Sequence, residues 1–419
     1  MELTEYERSV LEGDAGEGMR LAMQIVVKLG ERYGAERLLP IKGAHIDAAA
    51  YTTIWDAGID FLEYLAEHGA CVAVPTTVNP LSRDIRNWEG IGLTPAFAEK
   101  SARIEAAYLK MGVTPTWTCA PYQATNVPQF GEVVSWSESN AVDFVNSVVG
   151  ARAERLPDLL DVCCAVVGRV PAYGLYLTEN RAGDMLFKLE GFDGAWFSDP
   201  VDYAVLGYFV GEKIVNRVPV IEGLPARTMP DDLKALSAAA ASGGAVALFH
   251  AVGLTPEAPT LEAAFQGREG YPVVTVTPDD LIALREKLST SEGDRVDHVV
   301  LGCPHASFAE LREVADLFCG RHVAEGVTFW AMTSATQWEL ARRTDVAERL
   351  EAAGVTVTCD TCIMEFDEGD GRFAGQTFVT NSGKVAQYAP GINKARIKMA
   401  STAGCVETAV AGRYVEVEQ

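Results

Sequence analysis

Three cysteines stand where chemistry tends to collect in an α/β protein. Cys119 closes the strand-like run TPTWTC. Cys303 closes VVLGC ahead of Pro304, His305 and a predicted helix, and Cys362 lies just beyond VTVTCD in a turn. Ligands of open α/β sheets gather at the carboxyl ends of strands, so three cysteines placed there can converge. A thiolate at the start of a helix, as Cys303 would be, also gains from the positive end of the helix dipole. Three thiolates with no evident fourth protein ligand describe an iron–sulfur cluster with one open iron. Such a centre suits Lewis-acid chemistry more than electron transfer, for which four cysteines per cluster is usual. Other readings stand beside it. Each cysteine could simply be packed. Cys359-x-x-Cys362 has zinc spacing, but no second C-x-x-C or nearby His pair completes a tetrahedral site. A redox C-x-x-C would open a helix after the first strand of a thioredoxin-like unit.

Two polar segments are candidates for holding a small anion. Ser137-Glu138-Ser139-Asn140 precedes AVDFVNSVVG. It reads either as a helix N-cap or as exposed amides that hold an anionic substrate, with Ser139 and Asn140 adding specificity. Thr380-Asn381-Ser382-Gly383-Lys384 follows a strand-like run and enters a helix, so Gly383 permits close approach and Lys384 supplies a positive charge. It is not a P-loop, because the upstream Gly is absent and no Ser or Thr follows the Lys. His45, in KGAHID, is a site acid, a ligand orienter or a satisfied interior imidazole. Arg181, in a polar turn after 173–177, would suit a carboxylate by bidentate bonding or else be solvated.

The elements that must position these residues alternate. Helices are predicted over 52–68, 95–111 and 137–149, with strands at 38–42, 71–75, 114–119 and 173–177. Beyond residue 199, helices at 201–214, 231–241, 278–288, 308–319, 334–343 and 346–353 alternate with strands at 218–221, 245–249, 272–276, 298–301, 327–331 and 355–359. A strand and two short helices follow from 377. Alternation of this kind implies helices on largely parallel sheet. The 419 residues suffice for two or three such units at roughly 100–200 residues each. The division expected is 1–190, 191–300 and 301–419.

Hydrophobic residues make up 48%, enough for a real interior. Lys plus Arg total 35 against 58 Asp plus Glu, a formal charge of −23 that repels nucleic-acid backbones and anionic lipid. No signal peptide is visible, and apolar runs fall short of the ~18 residues of a membrane span. A soluble, cytoplasmic protein is expected. The nine cysteines lack the dense spacing of a disulfide scaffold, and Cys71, Cys163, Cys164, Cys319 and Cys405 are expected in the core.

Taken together and in order, KGAHID, WDAGIDFLE, TWTCAPY, WSESNAVDFVNSVVGAR, GRVPAYGLYL with ENR, LGCPHAS, CDTC and TNSGKVAQY resemble the aconitase X family. The resemblance runs the length of the chain. It implies an aconitase-like α/β fold of about three domains around a central iron–sulfur cluster, 2Fe-2S or 4Fe-4S, with the swivelling domain expected on a separate small subunit. By resemblance the cluster ligands are Cys119, Cys303 and Cys362, with Cys359 plus Cys362 as the rival assignment. His45, Glu138, Ser139, Asn140, Arg181, Ser382 and Lys384 would bind substrate, and the catalytic base would come from the small subunit. The implied reaction is loss of water from a small hydroxy acid. This is cis-3-hydroxy-L-proline in one branch of the family and mevalonate 5-phosphate in another, and the imino acid is preferred because the middle of the chain lacks a basic cluster. A zinc-stabilised or metal-free binding subunit is the alternative of another class.

Overall fold

The computed structural model describes residues 1–417. Three parallel sheets organise the chain. The first is small, in the order Thr76–Val78, Ala44–Ile46, Ser135–Trp136. Every residue of these strands is buried, so register rather than an alternating pattern defines them. The buried helix Leu160–Val167 packs beside them. The second sheet runs His250–Ala251, Pro219–Glu222, Met185–Leu189, Val273–Val276. Helices Pro200–Ile214 and Pro230–Gly244 accompany it and approach so closely that a Cβ at Gly207, Gly211 or Gly244 would strike the facing backbone.

The third sheet has five parallel strands, Val355–Cys359, Thr328–Thr333, His298–Ala306, Thr377–Thr380 and Arg396–Met399. Parallel strands need long crossovers, and the helices Phe308–Phe318, Ala335–Arg342 and Gly383–Ile392 supply them. One apolar core joins the second and third sheets, with Phe187, Ile221 and Leu206 in the same cluster as Trp330, Phe378 and Val385.

The helices lie close to their predicted positions because caps mark them. Thr277 caps Pro278–Leu288 and Ser307 caps Phe308–Phe318, each closing a capping box. The strands expected at 71–75 and 114–119 do not form. The first ladder begins at Thr76 instead. Residues 114–119 run beside it but bond partly through the Thr116 hydroxyl, which accepts from the Val78 N–H at 3.1 Å in place of a backbone carbonyl. Segment 173–177 forms short 3-10 turns rather than a strand, and of 245–249 only the following pair His250–Ala251 joins the sheet. Cys163, Cys164 and Cys405 are buried as expected, whereas Cys71 and Cys319 are exposed. Cys319 ends its helix in a left-handed conformation, which turns it out of the core.

Candidate active site

Cys119, Cys303 and Cys362 arrive from three different elements and line one cavity of about 210 Å³. Cys119 ends the segment that runs along Thr76–Val78. Cys303 sits in His298–Ala306 where the ladder register shifts between Leu301 and Ala306, so the strand opens at the thiol. Gly302 before it has φ +87, and a Cβ there would strike the Met332 carbonyl, so only glycine lets the strand bend here. Cys362 lies three residues beyond Val355–Cys359. Cys359 does not line the cavity. Its backbone N–H is held by Asp84 at 2.9 Å, and its charged neighbours are Asp360, Asp84 and Arg86.

Burial pushes the Cys119 thiol up to about 12, with Glu138 adding to the shift and Lys384 opposing it. Burial likewise raises Cys303, and raises Cys362 well above the usual thiol range with Glu365 adding to it. Buried thiolates therefore call for a cationic partner. None of the three is in a disulfide. A structural zinc would bring four ligands onto one ion. Among the described residues no three His, Cys, Asp or Glu side chains close on a single metal ion. An iron–sulfur cluster spreads its thiolate ligands over different irons, and three thiols lining one void, Cys362 buried and Cys119 and Cys303 half-buried, fit that donor set.

The same cavity is lined by one largely buried ion pair. Lys384, in the first turn of Gly383–Ile392, places Nζ 2.5 Å from Glu138 Oε1 and 3.3 Å from Ser139 Oγ. Glu138 also caps Ser139–Phe144, accepting from the Ala141 N–H at 2.7 Å. Burial works against both charges. The pairing prevails, holding Glu138 below and Lys384 well above their usual ranges.

Asn140 and Ser382 do not face the cavity. Each instead grips the backbone carbonyl of a cysteine: Asn140 Nδ2 donates to Cys119 O at 2.9 Å, and Ser382 Oγ donates to Cys303 O while capping its helix. His45 is fully buried behind the site, bonded to Thr77 at 2.9 Å and to Asn79 at 3.4 Å. Burial lowers its pKa to about 4. Asn79 in turn donates to Asp47 at 2.5 Å, so a hydrogen-bond chain links His45 to the cavity lining. Arg181 is not at the site. The 3-10 turn that replaces the expected strand carries it into the interior. There it pairs with Glu257 at 2.5 Å and bonds Asn146, Leu175 and Ala151, with no exposed surface.

Two acidic cavity residues, Asp47 and Glu365, are not among the expected site residues. Burial and the charges of Glu138, Asp158 and Asp161 raise Asp47 well above the carboxylate range. Glu365 is raised by burial, against the hydrogen bond from Thr52 at 2.7 Å and the charge of Lys384. Asp47 was in view as the last residue of KGAHID, whereas Glu365 had no motif around it.

The whole chain has known counterparts. The models of the aconitase X first, second and third domains match residues 1–179, 183–286 and 296–411. The crystal structure of Thermococcus kodakaraensis aconitase X in its holo-form superposes with a TM-score of 0.86 at 34% identity, covering 98% of this chain and 100% of that one. Cis-3-hydroxy-L-proline dehydratase of Pseudomonas aeruginosa is 39% identical over 98% of this chain and 70% of its own length. The phosphomevalonate dehydratase large subunit of Methanosarcina mazei is 36% identical over 99% and 98%. Three consecutive domain matches, one superposition spanning them and relatives that are all dehydratases leave a single placement: the chain belongs to the aconitase X family and is a hydro-lyase.

Proposed function

We propose that this chain is the large subunit of a cis-3-hydroxy-L-proline dehydratase. It would carry an iron–sulfur cluster on Cys119, Cys303 and Cys362 and work with a separate small subunit. The observation that carries the substrate reading is the charge around the cavity. Its lining has one cation, Lys384, already paired with Glu138, together with the carboxyls of Asp47 and Glu365, and no arginine. A zwitterionic imino acid matches that inventory. Its carboxylate would bond to Lys384, whose ammonium has three donors. Its secondary ammonium would draw Asp47 and Glu365 into their charged forms, offsetting the burial that keeps them protonated. A phosphorylated hydroxy acid would bring two anionic groups to the same lone cation.

When bound, the cluster supplies Lewis-acid assistance to departure of the hydroxyl group. The protein's own part is positional. Lys384 and Ser139 fix the carboxylate end, Asp47 and Glu365 fix the nitrogen, and Asn140 and Ser382 hold the cysteine backbones. Orientation of this kind accounts for a large share of catalytic power. The base that removes the carbon-bound proton would come from the small subunit. Relatives named large subunits, at 36% and 39% identity, support the two-chain arrangement.

Anaerobic reconstitution, addition of the candidate small subunit and assay on both acids test the proposal. Turnover of cis-3-hydroxy-L-proline alone is expected. Turnover of mevalonate 5-phosphate alone would overturn the substrate, and failure to take up iron and sulfide would overturn the cluster.

A further inference from the structure

The three cysteine segments come from distant parts of the chain, and one residue near Cys303 bonds to both of the others. His305 follows Cys303 by two residues and is 1% exposed. Its backbone N–H donates to Cys119 Sγ at 3.3 Å. Its Nε2 lies 3.0 Å from the carbonyl oxygen of Thr361, the residue before Cys362. A carbonyl only accepts, so Nε2 carries the proton. Its Nδ1 lies 3.1 Å from the hydroxyl of Thr118, the residue before Cys119. That hydroxyl already accepts from the Ala120 N–H at 3.2 Å and is free to donate its proton to Nδ1. Every polar atom of the ring is thus matched, and each match ends beside a cysteine.

We propose that His305 is a positioning residue that locks the Cys119, Cys303 and Cys362 segments into one register for a shared iron–sulfur cluster. The inference rests on the cluster reading above but adds a role that none of the cysteines can fill. Without the ring, Thr118 and Thr361 lose their common partner, and the Cys119 and Cys362 loops, each still held by an asparagine (Asn140 and Asn393), lose this link to one another. Groups behind metal ligands commonly govern affinity to this degree.

The test uses full-length protein reconstituted anaerobically. Iron release to a chelator is timed, and the electron paramagnetic resonance spectrum of the reduced cluster is recorded. His305→Phe keeps the ring volume but removes both nitrogens, and about 10-fold faster iron release is expected with a changed spectrum. Thr118→Val removes one hydroxyl at constant shape and keeps the test sound if the first variant fails to fold. It should release iron several-fold faster, on the order of 3-fold or more, with the apo-protein still folded and melting cooperatively at a modestly lower temperature. His250→Phe removes an equally enclosed imidazole whose hydrogen bond goes to Arg181 instead, and it should behave as wild type. Wild-type release rates and spectra in the His305 and Thr118 variants would overturn the proposal, as would equal acceleration by His250→Phe. A wild-type protein that takes up no cluster would overturn the cluster reading itself, a distinct result.

Discussion

The Lys384–Glu138 pair is the most consequential contact at the scale of single residues, because both charges are taken out of water and each makes the other tolerable. Removing one partner of a buried pair strands the other. Lys384→Met is therefore expected to lower stability by about 3–5 kcal/mol in urea unfolding and to abolish turnover. The double variant Lys384→Met/Glu138→Leu should regain part of the stability, the helix cap on Ala141 staying lost, and none of the activity. Unchanged stability in the single variant would show that the pair does not form. Glu365→Gln separates charge from shape, since the amide oxygen still accepts from Thr52. KM for the imino acid is expected to rise about 10-fold with kcat little changed, the pattern of lost ground-state binding. An unaltered KM would remove Glu365 from the nitrogen subsite.

Among elements, the site depends on how the ends of short strands are tied off. Asp161, fully buried at the start of Leu160–Val167, accepts from the Asp47 N–H at 2.6 Å, from the Ser137 hydroxyl at 2.7 Å and from the Val162 N–H at 2.7 Å. One carboxylate thereby aligns the loops that follow two adjacent strands and deliver Asp47 and Glu138 to the cavity. Asp161→Ala leaves those donors unpaired. A loss of about 3 kcal/mol and a lowered kcat are expected, read by denaturation and by assay. Helices were legible in the sequence because caps and prolines announce them, as at Thr277 with Pro278. Ala44–Ile46 lies just past the strand expected at 38–42, and Arg396–Met399 carries no strand signal of its own. Each is only a few residues long and is defined by the neighbour it pairs with.

At the scale of the whole molecule, the carboxyl ends of parallel strands in two separate sheets meet at one void, the arrangement that open α/β sheets favour for ligands. No described helix is long and apolar enough to cross a membrane. Folding also encloses imidazoles. Burial lowers His45 to about 4, partly offset by the charge of Glu138, and it lowers His250 as well. An unfolded His binds its proton near 6.5, so below that pH the unfolded state binds more protons and stability falls as the solution is acidified. For His45 the loss approaches about 3 kcal/mol by pH 4, and His45→Gln should flatten the dependence of the urea midpoint on pH over that window. A slope unaffected by the substitution would place the acid sensitivity elsewhere.

The amino-acid order alone determined which residues are chemically capable: three cysteines at strand ends, a lysine after a glycine and a polar Ser-Glu-Ser-Asn segment ahead of a helix. Local chemistry writes such features into neighbouring positions, where they can be read. Partnership is a property of distance across the fold. Arg181 and Lys384 look alike as cations in polar turns, yet one is consumed by Glu257 in the interior and the other reaches the thiols. Cys359 and Cys362 share one short turn, and only the path of the chain past its strand decided which faces the cavity. Tertiary structure settled these cases because buried charge and buried sulfur are stable only beside the right neighbour, and that neighbour lies far away in sequence.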